Sequence, residues 1–401
     1  LREEIVLKTL QRKIILFSAK YAENNPYIYR INQDQMPIYI HQLKNWTDFQ
    51  WNEQDFISLL GEVRNLQGKL MGKVELLGFE LKDEANLETL IQDVVQSSEI
   101  EGEILNPEQV RSSIATRLGL EDSGLQHSDR HIDGVVEMML DATQNNDKIL
   151  SDERLFGWHA SLFPAGRSGM HKIEVAKWRS GDMQVVSGGM GRETVHYEAP
   201  KAELLEQEMK QFINWYNTDS NLDPILKASI AHLWFVTIHP FDDGNGRIAR
   251  AITDMQLSKA DGVNQRFYSM SAQIKNDRKS YYRILEHTQK GDLDITGWIV
   301  WFLECLKNAI ISSDTIIDKV VKKHQFWVKN AGKISNGRQK KMLNKFMDNF
   351  EGNLTTSKWA KITKSSQDTA LRDITDLVNK GILIKAKSGG RSTHYELKTE
   401  L

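Results

Sequence analysis

The sequence predicts a mainly α-helical protein that carries one β-hairpin flap and ends in a winged helix-turn-helix domain. Three observations predict it. Apolar residues recur at i, i+3 and i+4 along most of the chain, the spacing of one buried helix face. A single stretch, 177–200, interrupts that spacing with glycines and β-branched residues, as a hairpin does. Beyond Asn330 the order is helix, turn, helix, then two short strands joined by "SGGR".

The elements follow in order. Residues 1–35 read as a poorly defined leader, and the native start is expected nearer Met36. "NWTDFQW" suits a short aromatic anchor on a core. Phe56, Leu59, Leu60, Val63 and Leu66 share one helix face. Leu87, Leu90, Ile91, Val94 and Val95 mark a second helix, which Gly102 stops. Asn106 caps the next, with Pro107 at its first position and Gly119 at its end. Further helices fit 131–146, 151–163 and 201–217. Asp223-Pro224 opens a helix whose run "ILKASIAHLWFVTI" is apolar all round, so it belongs in the centre. Others are expected from Gly246 to Asp261, over 277–290 and over 292–323. These elements group as a leader (1–35), an N-terminal domain (36–105), a catalytic core (106–325) and the winged domain (330–401).

Composition excludes several classes. The chain has 401 residues and a formal net charge of −2, so it is no polyelectrolyte binder as a whole. Cys305 is the one cysteine, which rules out an intrachain disulfide and argues against a cysteine zinc site. No apolar run reaches the roughly 18 residues of a membrane span, and "KIILFSA" is too short for a signal peptide. A cytoplasmic setting is the default. Residues 330–401 hold 14 Lys and Arg against 7 Asp and Glu, so positive charge concentrates there.

One stretch concentrates chemistry: "HPFDDGNGRIAR", His239 to Arg250. A Gly-Asn-Gly turn entering a helix exposes unpaired N–H groups, which make an anion pocket. Alone it also reads as a plain loop. Arg247 and Arg250 share a helix face near the N-terminus, where the helix dipole disfavours cations. A polyanion such as a nucleoside triphosphate explains them. Asp242 and Asp243 would repel phosphates unless a cation such as Mg²⁺ intervened. One of the two suffices, and the other is free to cap the loop. A neutral His239 can take a proton from an attacking hydroxyl.

These residues resemble the Fic-domain signature H-x-F-x-[DE]-G-N-G-R-x-x-R at every specified position. "SSEIEG" (97–102) is similar to the [ST]-x-x-x-E-[GN] motif of the family's inhibitory helix. "WRSGDMQVVSGGMG" looks like its flap, "DRKSYYRILE" like its later tyrosine-bearing helix, and "YIHQLKNW" to "IEGE" like the domain that often precedes it. The resemblance covers roughly 40–310. It implies a Fic helical bundle and adenylylation: AMP moves from ATP to a Ser, Thr or Tyr hydroxyl of a protein. By it, His239 is the general base, Phe241 anchors the loop and Asp243 holds Mg²⁺. The nucleotide site takes in Gly244, Asn245, Gly246, Arg247, Ile248, Ala249 and Arg250. Met183, Gln184, Val185 and Val186 of the flap contact nucleotide and register the target backbone. Tyr281 lines the adenine pocket, with Gln289 at a position where relatives differ. Ser97, Glu101 and Gly102 form a brake in which Glu101 pairs with Arg250 and competes with the γ-phosphate. In some relatives the same glutamate also serves removal of AMP. Self-modification and a homodimer are further expectations, and no membrane is involved.

Two other readings stay open. His127 and His131, at i and i+4, could hold a metal in a hydrolase, although "HSDRH" lacks the glutamate of H-E-x-x-H. Alternatively the chain is a DNA-binding regulator, with the helix near 366–379 in a major groove and the core as nucleotide sensor.

Overall fold

The computed structural model describes residues 39–120, 128–187, 194–218, 221–347, 350, 352–386 and 393–398. The expected leader 1–35, His127, the glycine-rich flap tip and the "SGGR" turn lie outside the described residues.

The chain from Tyr39 is one compact unit. It starts with α1 (Ile57–Glu75), α2 (Phe79–Ile100), α3 (Pro107–Leu118), α4 (Arg130–Gln144) and α5 (Asp152–Leu162). Two antiparallel pairs follow, β1 (Arg167–Ser168) with β2 (His171–Lys172), then β3 (Gln184–Ser187) with β4 (Thr194–Glu198). Next come α6 (Leu205–Asn217), α7 (Pro224–Ile238), α8 (Asn245–Asp261), α9 (Met270–Asn276), α10 (Arg278–Gln289) and α11 (Thr296–Asn330). The chain continues with α12 (Gly337–Met347), α13 (Thr356–Thr363), α14 (Gln367–Asn379) and the antiparallel pair β5 (Leu383–Lys385) and β6 (Tyr395–Leu397).

α7 is the axis of the main body. Asp223 accepts the Ile225 N–H at 2.8 Å and also holds Arg64 of α1 at 2.9 Å. Every residue from Ile225 to Ile238 is buried, as expected of a helix that is apolar on all sides. α8 packs along it and α2 crosses nearby. Buried charge ties these two. Arg266 is fully buried and reaches Asp254 of α8 at 2.8 Å. Asp93 of α2 accepts from Ser269 beside it. Burial raises the pKa of both carboxyls, and the Asp93 charge pushes Asp254 further up.

The main core runs from Ile40 to Val320, so residues 36–105 and 106–325 share one interior. A second core, around Met342, Trp359, Ile374 and Leu383, lies beyond it. α11 joins the two. It continues past 323 to Asn330 because Phe326 and Trp327 cover the second core. The apolar spacing did not indicate α9, α12 or the β1–β2 pair; each is short and depends on partners distant in sequence.

Candidate active site

α7 ends at His239, whose φ of +51° puts it in the left-handed region and reverses the chain. Its Nδ1 lies 3.1 Å from the Val236 carbonyl. A carbonyl only accepts, so Nδ1 carries the proton and Nε2 is left as the basic nitrogen. Surrounding protein, and then the Arg179 charge, hold its pKa below the ordinary imidazole value. The ring is therefore neutral at pH 7, the state a proton acceptor needs.

The loop after it is fixed from several sides. Phe241 is fully buried and stacks on His159 at 4.2 Å. His159 receives the Ala176 N–H on Nδ1 at 3.1 Å, and its Nε2 meets the Asp243 carbonyl at 3.2 Å. Burial pushes its pKa down to about 4, so it is a neutral strut. Arg179, also buried, donates from Nε to the His239 carbonyl at 2.9 Å and from Nη1 to Gly181 at 2.6 Å. It joins the flap base to the His239 turn. The Asn245 side chain clamps the Phe241 backbone at 2.9 and 2.7 Å.

The paired aspartates divide their work. Asp242 accepts the Glu174 N–H at 2.8 Å and pins the loop. Asp243 accepts from the Ser168 hydroxyl and from the Gly244 N–H. Gly244 occupies the N-cap position of α8 with φ +83° and offers no capping side chain. The first-turn amides of α8 therefore form an uncapped positive end. The Glu101 carboxylate already lies there, against the spot where a Gly246 Cβ would stand.

Both arginines are buried. Arg250 donates from Nε to Ser97 Oγ at 2.8 Å. Its Nη2 reaches the Ser97 carbonyl at 2.9 Å and Glu101 at 2.8 Å. Its Nη1 has no partner among the described residues. Arg247 lies over the Phe163 ring at 5.0 Å and pairs through Nη1 with Glu103 at 2.8 Å. Its Nε is buried and unpartnered among the described residues. A buried donor without an acceptor is costly, and two of them at one helix N-terminus point to a polyanionic ligand.

The remaining expected residues are placed as follows. Met183 accepts the Ala199 N–H at 3.0 Å and packs with Val185 on Tyr39 and Tyr197. Gln184 pairs with Glu198, and Val186, past a bulge, with Val195. Ser187 bonds His196, which meets Glu286 of α10 at 2.9 Å and so ties the flap to that helix. Ile248 and Ala249 are fully buried core residues, and the Ile248 N–H is bonded to Gly244. Tyr281 is a core residue too. It is 2% exposed and bonds His232 at 2.9 Å, whereas Tyr282 is 38% exposed. Of the two adjacent tyrosines on α10, Tyr282 is the one that meets solvent. Gln289 is buried, donating to Thr237 at 3.2 Å. His131 contacts the Leu162 carbonyl and Glu103 with its two nitrogens, which leaves neither for a metal. Near 366–379, Asp373 holds Arg338 and Asp376 holds Lys380.

His159, Arg179 and Glu103 were missed in the sequence, and His131 was read there only as a possible metal ligand. Each acts through partners far away in the chain, and a lone histidine on an apolar helix carries no signal.

The geometry defines a class first: a helical core with a polyanion cradle at one helix N-terminus and a neutral imidazole at its edge. Residues 149–257 match the model of the Fic/DOC family, and residues 39–120 match a domain of unknown function (DUF4172). "Protein adenylyltransferase Fic" of Nematostella vectensis is 26% identical over 245 residues, 57% of this chain and 50% of that protein. Its namesake from Drosophila grimshawi is 27% identical over 233 residues, 56% and 43% respectively. The chain thus spans half or less of these relatives. A crystal structure of a Fic family protein from Desulfovibrio desulfuricans G20 aligns with a TM-score of 0.49 at 18% identity, over 86% of this chain and 96% of that one. Among the described residues no helix is long and apolar enough to cross a membrane.

Proposed function

We propose that this chain transfers AMP from ATP to a protein Ser, Thr or Tyr hydroxyl and that Glu101 restrains the transfer. The carrying observation is the pair of buried, unpartnered arginine donors at the uncapped end of α8, with a neutral His239 alongside. Relatives named protein adenylyltransferase support the reading.

The triphosphate would rest on the first-turn amides of α8, with Arg247 and Arg250 on its outer phosphates. His239 Nε2 takes the proton of the target hydroxyl. That oxygen bonds to the α-phosphorus, the bond from phosphorus to the bridging oxygen breaks, and pyrophosphate leaves. Among the described residues no three His, Cys, Asp or Glu side chains converge on a metal position. Mg²⁺ takes one or two carboxylates and otherwise uses phosphate oxygens and water. Asp243 would hold it, and the ion supplies positive charge between that carboxylate and the phosphates.

Glu101 occupies this cradle and bonds Arg250, so the outer phosphate is displaced and the α-phosphorus is out of line for attack. Labelled ATP tests this. Glu101→Gly should raise AMP incorporation into lysate proteins. Adding His239→Ala should then lower it by about 10²- to 10⁴-fold, the range of a lost general base. Equal labelling by the two variants overturns the assignment.

A further inference from the structure

α2 ends in a glycine-centred turn. The Gly102 N–H bonds the Glu99 carbonyl at 3.0 Å and the Glu103 N–H bonds the Ser98 carbonyl at 3.0 Å, with Gly102 at φ +87°. This is the Schellman pattern. It places two carboxylates, Glu101 and Glu103, on either side of one left-handed residue, and both reach the first turns of α8. Glu101 takes Arg250. Glu103 takes Arg247 with Oε2 at 2.8 Å and His131 of α4 with Oε1 at 2.5 Å.

The state of His131 follows from its neighbours. Its Nδ1 lies 3.1 Å from the Leu162 carbonyl, and its Nε2 faces the Glu103 carboxylate. Both neighbours are acceptors, so a hydrogen on each nitrogen, and with it a cationic ring, is the state they favour. The Glu103 bond and charge raise its pKa in keeping with that. Glu103 thus bridges two cations from two different helices.

We propose that Glu103 is a second fastening point of the brake: clasped by His131 and Arg247, it holds the Gly102 turn so that Glu101 stays on Arg250. This rests on the adenylyl-transfer reading of the site. Two residues of chain span at most about 7 Å, so Glu101 cannot move far from the cradle while Glu103 stays fastened. The clasp engages Arg247 through Nη1 and leaves its buried Nε without a partner among the described residues. A phosphate arriving there competes with Glu103 for the same guanidinium, and so loosens the clasp that seats the brake.

The test uses Glu103→Gln, which keeps size and removes charge, with Glu101 native or replaced by glycine. In the native background AMP transfer should rise about tenfold, in the range that contacting charged pairs show. Combined with Glu101→Gly, the substitution should add nothing, because the brake it fastens is gone. A fall in both backgrounds would mean that Glu103 only aims Arg247 at substrate, and overturns the clasp. No change in the native background also overturns it. Amide exchange over 98–105 reads the clasp without any transfer and should quicken in Glu103→Gln. Quickened exchange with an inactive Glu101→Gly protein supports the clasp while removing the transferase reading; unaltered exchange removes the clasp. Should Glu103→Gln fail to fold, His131→Gln breaks the same contact from α4 and is read in the same way.

Discussion

Arg247 and Arg250 lie one turn apart on α8, both buried and both facing a carboxylate from the end of α2. They are nevertheless held differently. Arg250 makes three bonds to the Ser97–Glu101 segment, and its remaining Nη1 is buried beside Gly246 without a partner among the described residues. Arg247 makes one bond, to a glutamate that has a second cation of its own. Arg250 is therefore tied to the end of α2 by three bonds and Arg247 by one, so on the proposed reading Arg247 is the more readily released to a phosphate. The contrast separates a contact that blocks the site from one that fastens the block.

Thermal or denaturant unfolding should show the contrast. Arg250→Ala strands the buried Ser97 groups and Glu101, and removing one partner of such a set costs on the order of 3 kcal/mol. Arg247→Ala leaves Glu103 on His131 and should cost about 1 kcal/mol. Equal losses would mean that the two arginines are held alike and would erase the distinction.

Charge placement along the helices explains why the two ends meet. Glu101 and Glu103 sit at the C-terminal turn of α2, and Arg247 and Arg250 at the N-terminus of α8. Each set is disfavoured by its own helix dipole. Brought together across the cradle, they neutralise one another. The arginine half of this pattern is visible in the sequence, because a run from His239 to Arg250 needs no tertiary information to be read as crowded. Ser97 and Glu101 are likewise legible as i and i+4. The Glu103–Arg247 pair spans 144 positions and shows in no local spacing. The same holds for Arg179, whose partners lie on two loops, and for the choice between Tyr281 and Tyr282. Periodicity finds a helix, but which of two adjacent side chains meets solvent depends on what packs against it.

pH should sharpen the contrast further. The pKa of His131 is raised in the folded chain, chiefly by its bond to Glu103. Its contribution is therefore complete below the unfolded imidazole value of about 6.5 and is lost as pH rises through the higher folded value. The difference in unfolding free energy between the native protein and His131→Gln should be largest in mild acid and shrink towards alkaline pH. His159 and His232 are pushed down to about 4 and about 3, and His239 is lowered too, so none of these titrates in that window. A difference that does not vary with pH would show His131 to be uncharged and Glu103 to be held by Arg247 alone.

The smallest expected effect concerns the turn between the two carboxylates. Gly102 sits at φ +87° with open space where a Cβ would project, so alanine meets no clash and only backbone strain remains. That strain is about 1 kcal/mol, and relaxing it unwinds the turn that orients both Glu101 and Glu103. Gly102→Ala should thus raise basal AMP transfer about fivefold, less than Glu101→Gly, because the carboxylates are loosened rather than removed. It should leave the Arg250→Ala stability loss smaller than in the native background, since the contact being broken is already weakened. If that loss is undiminished while transfer rises, the turn acts on Glu103 alone, and the two arginines answer to separate carboxylates.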